Sequence, residues 1–335
     1  MDKTFASDLL TWYQENRRYL PWREDPKPYH VFLSEIMLQQ TRVDAVVPYF
    51  QRFLERYPTL QDLAEAKEED VLLLWQGLGY YSRAKNLLKA AKMVMDQFGG
   101  QFPSEEKELR TLPGVGEYVS RAIRAIAFDL PAVAVDGNLL RVYARLEALP
   151  IDVGEASSKK DCMQHYQERM EHPRDFNQAL MDLGELVCLP NGAPKCEVCP
   201  FKNRCKSHAQ GNPLSYPLPK KKADLRRIRL AVLLLKNGDL IAIRRRDDNG
   251  LLASLYEFPN VEGTFTEKKL LEAMPSLTSA KKVGLQKHRF SHIEWTMDVF
   301  LCSGTMEGVT VVPLQDIGVT YSLPTAFSKL LTLLK

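Results

Sequence analysis

Four of the chain's six cysteines, Cys188, Cys196, Cys199 and Cys205, fall within the single run CLPNGAPKCEVCPFKNRC (188–205). Four free thiols so close together would invite oxidation, so the run reads as a ligand set for a soft metal or an iron–sulfur cluster. Structural zinc sites more often join two C-x-x-C knuckles, whereas here one such pair is flanked by single cysteines, which favours a 4Fe–4S cluster and leaves zinc as the alternative. A disulfide framework fits poorly, because such staples belong to small secreted domains.

Two carboxylates stand out. Glu35 lies in VFLSEIMLQQTRV, where Phe32, Leu33, Ile36, Met37 and Leu38 make a helix apolar over most of its circumference. A glutamate held there is desolvated, and could keep its proton near neutral pH and act as a general acid. The plainer reading gives Glu35 the one wet stripe of that helix, shared with Gln39. Asp136 follows the apolar run Val133-Ala134-Val135 and precedes Gly137 and Asn138. That order places it at a helix start, where free N–H groups keep an aspartate ionised. A helix cap alone would explain it. Facing each other, however, the two would form a protonated acid and an ionised carboxylate, the pair that glycosidic chemistry through an oxocarbenium-like transition state requires. Between them lies Leu112-Pro113-Gly114-Val115-Gly116, followed by a helix from near Glu117. Gly114 and Gly116 let the backbone turn left-handed and approach another chain, and the helix start offers N–H groups to a phosphate.

The elements that must carry these residues change character along the chain. Residues 1–210 show apolar positions at three- and four-residue spacing, as in RAKNLLKAAKMVMDQF and NQALMDLGELVC, broken by GLGYY, GGQFPS and LPGVG. Beyond Pro213–Pro219 the pattern becomes strand, turn at Asn237-Gly238, and strand, followed by HIEWTMDVFLC and GVTVVPL, with helices at TEKKLLEAM and PTAFSKLLTLL. The expected architecture is multidomain: an all-α domain over 1–210, a basic linker over 211–226 and an α+β domain over 227–335. The stretch 216–230 holds six Lys or Arg against one Asp, which suits a solvated linker or contact with an anionic polymer. Net charge of +3 decides little by itself. No segment reaches the roughly 20 apolar residues of a membrane span, and MDKTFASDLLTWYQENRR reads as an amphipathic helix and not as a leader. With thiol ligands, this predicts a cytoplasmic protein.

Taken in order, LPWR (20–23), SEIMLQQTRV (34–43), PYF (48–50), GLGYYSRAKNL (77–87), LPGVGEY (112–118), VDGN (135–138), FNQALMDLGELVC (176–188) and the four cysteines resemble the helix–hairpin–helix DNA glycosylases of the endonuclease III superfamily, and within it the adenine DNA glycosylase (MutY) family. The resemblance spans nearly the full length. It implies a helix–hairpin–helix at about 108–128, a 4Fe–4S cluster on the cysteines of 188–205, and excision of adenine opposite 8-oxoguanine, or guanine, in double-stranded DNA by a protein that acts as a monomer. It implies catalytic roles for Glu35 and Asp136, oriented by Tyr118 and Asn138. Gln39, Gln40, Thr41, Leu78 and Tyr80 would contact DNA, with Gln40 and Tyr80 filling the stack that a flipped adenine vacates. Gly114, Gly116, Lys202 and Arg204 would hold phosphates, while Trp22, Arg23 and Gln178 would line the adenine pocket. Gln178 stands where some relatives carry glutamate, and the first cysteine gap is seven residues where the family has six. Lyases of the superfamily place a nucleophilic lysine two residues after the G-V-G. Tyr118 stands there, so a monofunctional glycosylase is implied.

The C-terminal part is similar to a Nudix-like domain that reads 8-oxoguanine, through Gly250, Glu257, Phe258 and Pro259 and the loop Phe290-Ser291-His292. The acidic Nudix run is missing from TFTEKKLLEAMPSL, which disfavours pyrophosphatase chemistry. Two other readings compete: an endonuclease III-type glycosylase-lyase, and an iron–sulfur DNA-binding sensor without catalysis.

Overall fold

The structure, a computed structural model, describes residues 3–219 and 224–334. It comprises two compact units, Met1–Glu65 with Lys89–Lys221, and Ala66–Leu88 with Lys222–Lys335. No helix among the described residues is long and apolar enough to cross a membrane.

Helices run in order as α1 (Lys3–Asn16), α2 (Pro21–Glu24), α3 (Pro28–Leu38), α4 (Val43–Arg56), α5 (Leu60–Ala64), α6 (Glu68–Leu74), α7 (Ser82–Phe98), α8 (Glu106–Leu109), α9 (Glu117–Ala122), α10 (Gly137–Glu147), α11 (Ala156–Gln167), α12 (Pro173–Leu186) and α13 (Lys206–Ala209). Several starts are written in the sequence: Pro21, Pro28 and Pro173 sit where a missing N–H costs nothing, and Asp136 caps α10 by accepting from Leu139 N at 2.8 Å. The core of the first unit closes round Phe5, Leu9, Tyr166, Phe176 and Leu183, all essentially inaccessible. Phe201 of the cysteine loop enters that core and stacks on Phe5 at 4.2 Å. Burying such a ring contributes about 1.5–3 kcal/mol, so the loop is anchored by packing before any ligand is considered.

In the second unit, strands β1 (Arg226–Asn237), β2 (Leu240–Arg245), β3 (Tyr256–Glu257), β4 (Asn260–Glu262), β5 (Leu277–Arg289), β6 (Ile293–Gly304) and β7 (Thr310–Pro313) form one mixed sheet. Its path is β3-β2-β1-β6-β5, with β4 on β1 and β7 on β2; β1 and β6 are parallel. Leu230, Val232, Leu234, Met297 and Val299 face one side, against Phe327 and Leu330 of the C-terminal segment, which includes α15 (Thr325–Ser328). Ala231, Leu233, Phe300 and Cys302 face the other, against Leu270 of α14 (Glu267–Ala273). Asn237 pairs with Leu240, so the tight turn is Gly238-Asp239, one residue later than the Asn-Gly signal suggested. Residues 66–88 cluster with the sheet and not with the helices that flank them in sequence. Two bonds show why: Ser322 Oγ donates to Leu72 O at 3.4 Å, and Lys85 Nζ donates to Ser254 Oγ at 2.5 Å. Of the linker's cations, Lys220–Lys222 lie outside the described residues, while Arg226, Arg227 and Arg229 belong to β1.

Candidate active site

Eight of the eleven residues of α3 are buried, so its surface offers no wet stripe for Glu35, which is 4 % exposed. The Tyr118 hydroxyl hydrogen-bonds to its carboxyl, and Oε2 has no partner. Burial foremost, then the nearby Asp136 carboxyl, push Glu35 up to about 7, against the opposing pull of Tyr118 and Arg23. Asp136 is half-buried, and desolvation raises it too. It differs in having donors: Leu139 N at 2.8 Å, Asn138 Nδ2 at 3.0 Å and the Asn138 backbone all favour its anion. A carboxylate with three donors ionises ahead of one with a single donor and an orphan oxygen. Asp136 does cap α10, as its place before Gly137 suggests, and the cap works against a desolvation the sequence did not reveal.

Glu35, Tyr118 and Asp136 line two adjoining cavities. The smaller, about 340 Å³, is walled by Trp22, Arg23, Gln178 and Asn138 together with Arg18, Gln40 and Thr41. Gln178 presents a second buried oxygen without a partner, Oε1. Two unsatisfied polar atoms in one cavity of ligand size mark a place for a molecule with matching donors and acceptors. The larger, about 920 Å³, opens past Gln39 and Gln40 to Gly114, Gly116 and the start of α9. Only Gly114 is left-handed, at φ +81; Gly116 is extended and serves as the N-cap of α9. The first glycine thus makes the turn and the second leaves the approach clear, since a Cβ there would meet nothing within 4 Å. After α9 the helix widens into a π turn, Ile123–Ala127, and Ile126 reaches the smaller cavity.

Gln40 and Tyr80 share a property the sequence did not announce: both are non-glycine residues with positive φ, +58 and +49. Such backbone is retained where the surroundings over-determine it. In the second unit Arg83 donates to Leu78 O and Gly79 O, bracing the turn under Tyr80, which is 43 % exposed. Leu78 itself is buried, unlike a residue that meets DNA directly. Phe290 is wedged edge-on between His288 and Trp295, at 4.6 and 4.9 Å, and holds the β5–β6 turn where Ser291 and His292 lie exposed, bonded to each other at 3.1 Å.

Cys188, Cys196, Cys199 and Cys205 line one cavity in apolar surroundings that include Val142, Leu146, Leu183, Val187 and Phe201. No three metal-ligating side chains among the described residues lie close enough to hold a single ion. Four thiols lining one cavity are a donor set suited to a soft-metal centre. Arg145 Nη1 lies 3.4 Å from Cys188 Sγ and also donates to Leu189 O. Two of the loop's cations are already engaged, Lys202 with Glu197, and Arg204 with Asp8 and Thr4. They meet a phosphate only by exchanging partners.

Sequence reasoning missed three side chains. Arg141 of α10 donates to Cys188 O at 2.8 Å, Gly184 O at 2.7 Å and Asn138 Oδ1 at 2.7 Å, and so ties the cysteine loop to the amide that bonds Asp136. Arg18 and the buried Asp182 are the others. Gly184 matters for a different reason: a Cβ there would sit 2.6 Å from Asn138 Cβ. Gly184→Ala is expected to push Asn138 off Asp136, lowering stability by about 1–3 kcal/mol and slowing the reaction; a melt and a single-turnover assay check both.

The N-terminal residues 33–172 match the HhH-GPD superfamily base excision DNA repair protein model, and 230–333 match a NUDIX domain. A solved thermostable thymine-DNA glycosylase superposes on 62% of the chain and 96% of its own with a TM-score of 0.57 at 29% identity. Fold and site together define a helix–hairpin–helix DNA N-glycosylase, an enzyme whose partner is DNA. The chain is 34% identical to the adenine DNA glycosylase of Rattus norvegicus over 91% of its length and 71% of the relative's. Against that of Buchnera aphidicola subsp. Schizaphis graminum it is 33% identical, over 86% and 84%. It belongs to the adenine DNA glycosylase family.

Proposed function

We propose that this enzyme removes adenine mispaired with 8-oxoguanine, and with guanine, by hydrolysing the N-glycosidic bond without strand cleavage, acting as a monomer. The observation that carries this is Glu35: a buried carboxyl with an orphan oxygen, in the same cavity as a carboxylate rich in donors. Adenine, extruded from the duplex, enters the smaller cavity. Glu35 donates its proton to the purine, which lets the base leave neutral. Asp136 stabilises the positive charge that develops on the sugar, and Tyr118 and Asn138 hold the two carboxyls. Glu35, now ionised, takes a proton from the attacking water. Gln40 and Tyr80 occupy the vacated stack, and Ser291 and His292 read the oxidised base. The family likeness and the four-cysteine cavity support a 4Fe–4S cluster on Cys188, Cys196, Cys199 and Cys205, which would crosslink the loop to the core.

Duplexes carrying A opposite 8-oxoguanine, G or T, incubated with excess enzyme, test the reading. Free adenine is expected from the first two and not from the third, with little adduct on borohydride trapping. A high-yield covalent adduct would favour the lyase, and reversible binding without adenine release the sensor. The purified protein is also expected to be brown with about four irons per chain, and Cys199→Ser to lose both colour and folding; a colourless, iron-free and fully active protein contradicts the cluster.

A further inference from the structure

Asp182 of α12 is completely buried and is not among the residues lining the cavity that holds Glu35. It takes five hydrogen bonds from two arginines of the α1–α3 region. Arg18 gives N at 3.2 Å, Nε at 2.8 Å and Nη2 at 2.6 Å; Arg23 gives Nη1 at 2.6 Å and Nη2 at 3.0 Å. Both guanidiniums, unlike Asp182, form the wall of the cavity that holds Glu35.

One carboxylate against two guanidiniums leaves a single positive charge in that wall. The other charged and titratable groups lining the two cavities that Glu35 shares are Tyr118, Glu117 and Arg121 of α9, Asp136 at the cap of α10, Arg42 before α4, Lys159 and Lys160 of α11, and Glu185 of α12. Of the arginines, Arg23 acts on Glu35 most directly. Positive charge favours an ionised carboxyl, and an ionised Glu35 has no proton to give. A second uncompensated guanidinium would therefore work against the acid.

Resting on the reading of Glu35 as the acid, we propose that Asp182 is a positioning residue of the excision reaction: it clamps Arg18 and Arg23 as one wall of the adenine pocket and cancels one of their two charges beside Glu35. The clamp acts through the arginines, and its removal changes the charge that Glu35 meets without touching substrate.

The test is the pH dependence of single-turnover adenine release from a duplex with A opposite 8-oxoguanine, between about pH 5.5 and about 9. Wild type is expected to lose rate on the alkaline side as Glu35 ionises. Asp182→Asn should move that limb down by about one pH unit, and Asp182→Glu should bring it back. Arg18→Met, which leaves Arg23 and Asp182 as a neutral pair, should move it the opposite way. A purely structural role predicts a uniform loss with the limb unmoved, and that result overturns the proposal. Should Asp182→Asn fail to fold, Arg18→Met decides alone by the same criterion. A wild-type rate flat to pH 9 overturns the Glu35 reading and this proposal with it; a wild-type limb that neither substitution moves overturns this proposal only.

Discussion

Glu35→Gln is expected to lower single-turnover adenine release by at least about 10²–10⁴-fold, the usual contribution of a general acid, while binding to the mispaired duplex is kept. The amide fills the same space on α3 and can still bond Tyr118, but it has no proton to give to the departing purine. The same change should make the protein more stable, and the sign follows from linkage. Glu35 is raised from 4.5 to about 7 by burial. Its favourable contribution is complete below its unfolded value and is lost as pH rises through its folded one. At pH 8 the wild type carries a buried anion and the Gln variant does not, so the variant should melt higher there and lose that advantage toward pH 4. Thermal melts at the two pH values check this. Equal melting differences at both would mean that Glu35 is hydrated and ordinary.

The second large effect concerns Arg141. Arg141→Met keeps much of the aliphatic stem but leaves Cys188 O, Gly184 O and Asn138 Oδ1 without the donor they share. A buried acceptor left unsatisfied costs about 1–3 kcal/mol; the bond to Gly184 O is buried and the other two are partly so, which makes the loss a sizeable fraction of a domain's net stability. Activity should fall as well, because Asn138 then holds Asp136 without its own anchor. A residue that orients a ligand-bearing loop typically costs roughly 10- to 100-fold. Rate and melting temperature of the variant check both effects. Loss of stability with an unchanged rate would confine Arg141 to packing and remove it from the site.

How much of this was legible in the sequence depended on how local each signal is. The helices announced themselves through apolar spacing and proline starts. Glu35 was visible because its neighbours on α3 are apolar all round, which leaves a polar side chain no wet face. Asp136 was visible because Asp-Gly-Asn after an apolar run is a cap signal. The strand β5 was not visible: LTSAKKVGLQKHR runs along the edge of the sheet, mostly exposed, and so shows no alternation. Nor was the placement of residues 66–88, which depends on partners more than 160 residues away, such as Ser254 on Lys85. Asp182 looks like any acid on an amphipathic helix until the fold brings Arg18 to it across 164 residues. The clamp and the Arg141 bridge are both products of such long-range pairing, which no periodicity or spacing records.

The central claim is that the Glu35 carboxyl is still protonated close to neutral pH. Infrared difference spectroscopy of the protein across a pH titration, with Glu35→Gln as the reference, reads that proton at its source. A protonated-carboxyl C=O band that disappears with a midpoint near the value of about 7, and is missing from the Gln variant, is the expected result. A band that vanishes in the ordinary carboxylate range, about 4–5, would contradict the account.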